Sequence, residues 1–124
     1  MQKQNEIVAS LKQKALEIGL DACVLLPADA LSDETVNLTR WLQNGYHGEM
    51  EYMARNVEKR LDPRLLVENA KTVVVVLQNY FTNEKQTDPA APVLSKYAFS
   101  TDYHFVLKEK LKTLLEFIQT EIAG

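Results

Sequence analysis

The chain has 124 residues, of which 46% are hydrophobic and 25% charged, a composition typical of one globular domain. Its formal net charge of −3 argues against a protein that binds nucleic acid over its whole surface, although a local basic patch is compatible with it. The single cysteine excludes an internal disulfide, and without an apolar run of about 20 residues or a signal-peptide pattern we expect a cytoplasmic protein with no membrane partner.

The first elements predicted along the chain are a helix, a strand and a second helix. Apolar residues recur on one helical face across residues 5–18, and Gly19 is placed to end this helix in the left-handed conformation. The short, continuously apolar run 21–27 predicts a buried strand. Ser32, followed by two acidic residues, is predicted to cap a helix that ends before Asn44.

Residues 45–63 (GYHGEMEYMARNVEKRLDP) combine residue types that core packing alone does not require. Two glycines bracket Tyr46 and His47, which predicts a tight turn with positive φ. Asp62 and Pro63 predict the cap and first residue of another helix. Between these two signals, helical spacing of apolar residues predicts a short helix with one apolar face: Met50, Met53, Ala54 and Val57.

Basic side chains follow the same short helix: Arg55, Lys59, Arg60 and Arg64. They are suited to contact phosphate groups of a nucleic acid. The commoner alternative is that they solvate two adjoining helices and pair with Glu58 and Asp62. The sequence alone leaves both interpretations open.

The second half of the chain predicts a central strand over residues 72–81 (TVVVVLQNYF), because consecutive valines favour a pleated strand and the lack of alternation indicates that both faces are covered. The polar segment 82–92 is a loop. Alternation over residues 93–99 predicts a third strand, and Ser100 or Thr101 is expected to cap the last helix. That helix carries an apolar stripe: Leu107, Leu111, Leu114, Ile118 and Ile122.

Together these elements predict an α/β (α+β) fold in a single domain over residues 1–124. Helices cover a small mixed sheet whose centre is the 72–81 strand, and the strand order stays open. Cys23 lies in the first strand and is expected to be a small buried apolar residue. The chain contains no glycine-rich phosphate loop of the common nucleotide-binding types.

Four segments resemble the N-terminal domain of the epoxyqueuosine reductase family: GYHGEMEYMARN, EKRLDPRLLVENAK, LQNYF and SKYAFSTDYHFVLKEKL. The resemblance covers about residues 15–115. It implies a cobalamin-dependent reductase that converts epoxyqueuosine to queuosine in tRNA, with a corrinoid and a tRNA as partners. The family's two 4Fe-4S clusters are expected in a ferredoxin-like module beyond this domain, since the chain has one cysteine. On this basis the chain alone is expected to be inactive.

The resemblance also assigns residues to a site. It implies that one group lies near the corrin ring: Asn79, Tyr80, Tyr97, Asp102, Tyr103 and His104. A second group is expected to contact the substrate: Tyr46, His47, Arg55 and Arg60. No catalytic residue and no metal ligand is assigned. The chain departs from the family pattern at Ser100 and Thr101, where the family has a glycine and a basic residue, at Phe81, where it has tyrosine, and at Lys96, where it has arginine.

Each of these signals has a simpler interpretation. Asp102 and His104 stand where a helix begins, which suits an anion or an amide, yet they are equally explained as a first-turn acid and the top of the apolar stripe. Met50 and Met53 suit a flat ligand or a core. His47 and His104 would need further ligands to bind a metal. The alternative function is a stand-alone binding or interaction domain that kept the fold and lost the cofactor, which Phe81, Ser100 and Thr101 favour.

Overall fold

A computed structural model of the chain describes residues 1–123. It contains four α-helices and two strands: α1 Gln2–Glu17, β1 Ala22–Pro27, α2 Ser32–Gln43, α3 Val57–Leu61, β2 Thr72–Leu77 and α4 Tyr103–Phe117. Shorter turns of 3-10 helix occupy Glu51–Ala54, Pro63–Leu65 and Lys96–Phe99, and a π-helical turn, Ile118–Ile122, follows α4. None of the helices in residues 1–123 is long and apolar enough to cross a membrane.

Strands β1 and β2 form a two-stranded antiparallel sheet. At one end the N–H of Asp21 donates to the carbonyl of Leu77 at 2.9 Å, and at the other the N–H of Ala28 donates to the carbonyl of Lys71 at 2.9 Å. The α/β class is therefore confirmed, with a sheet that is smaller than expected.

The chain forms two compact units. Unit 1 comprises Met1–Val24 and the chain from Val75 onward, and unit 2 comprises Leu25–Val74. In unit 1, α1 and α4 contact each other around the buried side chains Leu11, Ala15, Leu20, Cys23 and Leu114. In unit 2, α2 contacts α3. The expectation of a single domain stays a prediction.

The glycine signals and the Asp62–Pro63 signal are confirmed, whereas Ser32, the predicted cap of α2, is its first residue and follows the cap Leu31. Gly19, after α1, has φ +83°, and Gly45 and Gly48 have φ +68° and +56°. The Asp62 carboxylate accepts a hydrogen bond from the N–H of Arg64 at 3.0 Å, with Pro63 in the first position of its turn. Burial raises the pKa of the Cys23 thiol, against an opposing effect of Lys12, so Cys23 is a neutral core residue as expected.

The predicted third strand over residues 93–99 is wrong. Lys96–Phe99 is a 3-10 turn, and no third strand occurs in the part of the chain that the structure describes, so the sheet is not mixed. Gln86 engages the start of this segment: its side-chain oxygen accepts from the N–H of Leu94 at 3.4 Å, while its amide nitrogen donates to the carbonyls of Ala91 and Pro92 in the preceding loop. A side chain thus bonds the Leu94 N–H, a group that a strand would pair in a ladder.

The predicted helix through Met50 and Val57 is also wrong, because it is broken near its centre. The turn Glu51–Ala54 ends at Arg55, which is extended, and Asn56 adopts the left-handed conformation with φ +53° before α3 begins. Asparagine tolerates this conformation better than other side chains. The helix predicted from Pro63 is likewise shorter than expected, being the single turn Pro63–Leu65.

Two further corrections concern burial and capping. The strands were expected to be covered on both faces, yet Val24, Leu26, Val75 and Leu77 are exposed, so the described residues leave part of the sheet surface uncovered. The predicted caps Ser100 and Thr101 precede the true cap of α4, which is Asp102. No side chain of α2 is fully buried, although residues 38, 41 and 42 are half-buried, as expected for its inner face.

The buried side chain of Leu114 predicts a large effect of truncation. Leu114 is 2% exposed and its neighbour Leu115 is 52% exposed. We expect Leu114→Ala to lower the free energy of unfolding by about 2–5 kcal/mol, through lost burial and the cavity it leaves. The matched Leu115→Ala change is expected to cost less than about 1 kcal/mol. Urea unfolding followed by circular dichroism measures both, and equal losses would contradict the position of α4 in the core.

Candidate functional site

Three tyrosine rings form the wall of a cavity in unit 1. The cavity has a volume of about 440 Å³ and is lined by Gln78, Tyr80, Tyr97, Tyr103 and Leu107. Tyr97 is the central ring: its centroid lies 6.3 Å from that of Tyr80 and 5.9 Å from that of Tyr103, at interplanar angles of 86° and 87°. Such edge-to-face contacts are favourable because the ring edge is positive and the ring face negative. The rings therefore hold one another in place.

The three tyrosines come from separate parts of the chain. Tyr80 follows β2, Tyr97 lies in the 3-10 turn Lys96–Phe99, and Tyr103 is the first residue of α4. Their exposed fractions are 57%, 49% and 42%, so their rings remain accessible although each packs against another. This arrangement offers a preformed aromatic surface to a ligand.

A second cavity of about 320 Å³ is lined by some of the same residues, among them Gln78, Tyr80 and Tyr103. Its other lining residues include an amide and three hydroxyl groups: Asn79, Thr82, Ser100 and Thr101. The aromatic surface thus adjoins groups that can donate and accept hydrogen bonds. The side-chain oxygen of Asn79 already accepts from the N–H of Phe81 at 2.9 Å, which fixes its orientation.

The polar residues at the start of α4 are bonded to each other. Asp102 Oδ1 accepts from the backbone N–H of His104 at 2.9 Å and lies 2.8 Å from its Nδ1. Both bonds hold the pKa of the Asp102 carboxyl below its usual range, and the bond from the His104 backbone N–H has the larger effect. The His104 ring stacks on Tyr103, with centroids 4.0 Å apart. Asp102 and His104 therefore contact the aromatic wall through the Tyr103 ring.

The cofactor residues assigned by resemblance are thus brought together to different degrees. Tyr80, Tyr97 and Tyr103 line the larger cavity, and Asn79 lines the smaller one. Asp102 and His104 line neither and touch the wall through Tyr103. Sequence reasoning did not assign two lining residues of the larger cavity, Gln78 and Leu107. The available signal for Gln78 was its position, since it is a polar residue at the end of a valine-rich strand.

The residues assigned to the substrate all lie in unit 2. The Arg60 guanidinium donates to the carbonyl of Met53 at 2.6 Å and to its sulfur at 3.3 Å, so it bridges the break before α3. His47 packs against Trp41 with ring centroids 5.8 Å apart, and its Nδ1 is buried with no hydrogen-bond partner among the described residues. Tyr46 and Arg55 are exposed. In residues 1–123 no cluster of His, Cys, Asp and Glu is suited to hold a metal ion.

Comparison with known proteins establishes the relationship of this chain. A family model described as "Epoxyqueuosine reductase QueG, DUF1730" matches residues 60–124, just over half of the sequence. The chain belongs to this family. It is 50% identical over 112 residues to an epoxyqueuosine reductase of Leadbetterella byssophila, a match that covers 90% of this chain and 37% of that protein.

Solved structures agree with this family membership. A crystal structure of selenomethionine-labelled epoxyqueuosine reductase matches with a TM-score of 0.79 at 25% identity. A second, of epoxyqueuosine reductase with an epoxyqueuosine-modified tRNA-Tyr stem loop, matches with a TM-score of 0.74 at 27% identity. Each match covers 94% of this chain and 32% of the other. The family resemblance drawn from the sequence is confirmed, and this chain spans about a third of the length of its relatives.

The Asp102 bonds predict a pH-dependent contribution to stability. Because the pKa of Asp102 is lower in the folded chain than its ordinary value of 3.8, the carboxylate favours folding above that pH. This contribution is lost as the pH falls below 3.8 through the lowered pKa. Asp102→Asn keeps a side chain that caps helices well but removes the charge. We expect the variant to be less stable than the parent at pH 7 and the difference to shrink towards pH 3.

Urea unfolding of both proteins across this pH range measures the effect. Asp33→Asn, in the first turn of α2, is a control because Asp33 makes no hydrogen bond or ion pair among the described residues. A stability difference for Asp102→Asn that stays constant down to pH 3 would contradict the assigned role of the carboxylate.

Proposed function

We propose that this chain is the corrinoid-binding part of an epoxyqueuosine reductase, and that the tyrosine-lined cavity of unit 1 contributes to the cofactor site. The observation that carries the proposal is the convergence of Tyr80, Tyr97 and Tyr103 on one cavity, since the family resemblance assigns these residues to the corrin ring. Family membership supports it.

The residues at the cavity fit the chemistry of a corrinoid. Such a molecule combines a flat, largely apolar macrocycle with many peripheral amides. Tyrosine rings suit the macrocycle, because aromatic surfaces pack well against flat apolar groups. The amide of Asn79 and the hydroxyls of Ser100 and Thr101 suit the periphery, because they can donate and accept hydrogen bonds. With a volume of about 440 Å³, the larger cavity would contact part of the molecule and not enclose it.

Within the reductase, the corrinoid would supply the reducing metal centre. This chain would bind it and orient it, and the tyrosine wall would keep water from the covered part of the ring. The two expected 4Fe-4S clusters belong to parts of the reductase outside this chain, because Cys23 is its only cysteine. We therefore expect no turnover from this chain alone.

The substrate partner of the complete protein would be a tRNA that carries epoxyqueuosine. One matched crystal structure is that of epoxyqueuosine reductase with an epoxyqueuosine-modified tRNA stem loop, which supports this proposal. We propose that four residues of this chain contact the tRNA: Tyr46, His47, Arg55 and Arg60. The expected compartment is the cytoplasm, where such a tRNA is available.

A spectral titration with cob(II)alamin tests cofactor binding directly. We expect saturable binding, seen as a change in the cofactor's absorbance. Tyr97→Leu should weaken it about tenfold, or ~1.4 kcal/mol, because the other two rings lose the contact that orders them. Tyr52→Leu, in unit 2, is the matched control and should bind as the parent does. Absence of binding by the parent chain would overturn the proposal and favour the interaction-domain alternative.

The substrate residues can be tested with a tRNA anticodon stem loop. Arg55 is exposed and makes no side-chain hydrogen bond among the described residues, whereas Arg60 is bonded to Met53. We expect Arg55→Gln to weaken binding and to reduce the slope of log K against log salt by about 1, without changing stability. Arg60→Gln should in addition lower the melting temperature, because Arg60 also bonds Met53. Lys3→Gln in α1 is the control for loss of one positive charge.

Fluorescence anisotropy with a labelled stem loop at several salt concentrations measures these slopes. Lys3→Gln should give the slope of the parent. If Arg55→Gln gives that slope too, Arg55 does not contact the RNA and the proposed RNA-contacting residues are wrong.

A further inference from the structure

Lys110, in α4, joins three segments of unit 1, one of which carries the cavity residue Gln78. Its half-buried ammonium group donates to the carbonyl of Gly19 at 2.8 Å and to the side-chain oxygen of Gln78. Gly19 follows α1, and Gln78 directly follows β2 and lines both cavities. Lys110 itself lines neither cavity. Its contacts therefore reach the site only through Gln78.

Gln78 is held in one orientation by these contacts. Because its Oε1 accepts from Lys110, its Nε2 is turned to donate to the carbonyl of Asn79, at 3.1 Å, and it lies 3.5 Å from Oδ2 of Asp21. The same Asp21 oxygen accepts from the N–H of Asn79 at 2.6 Å. Both backbone polar groups of Asn79 are thereby bonded. This fixes the backbone that leads into Tyr80.

The groups around the Lys110 ammonium suit a positive charge. No carboxylate lies within ion-pair distance of it among the described residues, and its partners are neutral oxygens. One of them, the Gly19 carbonyl, follows the C-terminus of α1, where the helix dipole favours a cation. Gly19 has φ +83°, and a Cβ added there would lie 3.2 Å from the Lys110 Nζ. A glycine thus suits both the backbone and the approach of the lysine.

We propose that Lys110 is a positioning residue for the tyrosine-lined cavity. By holding the Gln78 amide, it sets the place of Gln78 and Tyr80 relative to Tyr97 and Tyr103. It is not a catalytic residue, because it touches the site through another side chain. Only the consequence for corrinoid affinity rests on the proposed function; the positioning of the cavity residues does not.

The simpler alternative is that Lys110 only stabilises the packing of α4 in unit 1. The two roles differ in what a substitution changes. A stabilising contact affects the melting temperature, whereas a positioning contact also changes the surroundings of Gln78, Asn79 and Tyr80 in the chain that remains folded.

The test compares Lys110→Met with Lys108→Met, an exposed position on the same helix with no side-chain hydrogen bond among the described residues. Lysine and methionine have similar helix propensities, so the two changes are matched. NMR spectra of labelled chain are recorded at a temperature at which circular dichroism shows each protein folded. We expect the Gln78 side-chain amide, the Asn79 N–H and the Tyr80 ring signals to move in Lys110→Met and not in Lys108→Met.

The proposal is overturned if Lys110→Met lowers the melting temperature but leaves those signals at their parent positions. Should Lys110→Met not fold, Lys110→Gln takes its place. It keeps a hydrogen-bond donor but is too short to reach both oxygens, so the same signals should move.

Cob(II)alamin titration adds a second readout. If the parent binds, we expect Lys110→Met to bind about tenfold more weakly than Lys108→Met, because the residues that line the cavity are no longer held in their binding arrangement. Equal affinities of the two variants would overturn the positioning role while leaving the proposed function intact. If the parent does not bind, the proposed function fails, and the NMR signals alone decide whether Lys110 positions the cavity.

Discussion

Asp21 fixes the point where the chain leaves β2 and enters the tyrosine-lined cavity. Its backbone N–H donates to the carbonyl of Leu77 at 2.9 Å, and its carboxylate accepts from the N–H of Asn79 at 2.6 Å. One residue therefore completes the pairing of β1 with β2 and also fixes the direction in which the chain leaves β2. Because Asp21 directly follows Leu20, which is buried, this point is attached to the core of unit 1. This attachment to the core sets the position of Tyr80 in the cavity.

Much of the secondary structure could be predicted because its signals are local. The ends of α1 and α2 follow from Gly19 and Asn44, and valines alone predict β2. The failures arise where a single residue sets the local backbone in a way that the periodicity of apolar residues does not record. Gln86 bonds the Leu94 N–H in the segment expected to be a strand, and Asn56 adopts a left-handed conformation inside the expected helix.

The candidate site was less predictable than the fold. Composition and spacing gave no reason to bring Tyr80, Tyr97 and Tyr103 together, and only the family resemblance assigned them to one place. The supporting contacts were missed because they depend on distant positions: Lys110 and Gly19 are 91 residues apart in the sequence. Hydrophobic periodicity explains why α4 packs in the core, but it carries no information about which polar residue reaches the end of another helix.

The contacts that hold the three tyrosine rings in fixed positions determine which kind of ligand this aromatic wall suits. Edge-to-face contacts among the three rings, the stacking of His104 on Tyr103 and the bonded backbone at Asn79 hold the wall in place by contacts within the chain. Binding to such a wall orders few additional groups, so little of the interaction energy is lost as conformational entropy. A flat and rigid ligand benefits fully from this, because it cannot adapt its own shape. A flexible peptide gains less. The preformed wall therefore suits the corrinoid that we propose as the ligand of unit 1 better than it suits a flexible protein segment.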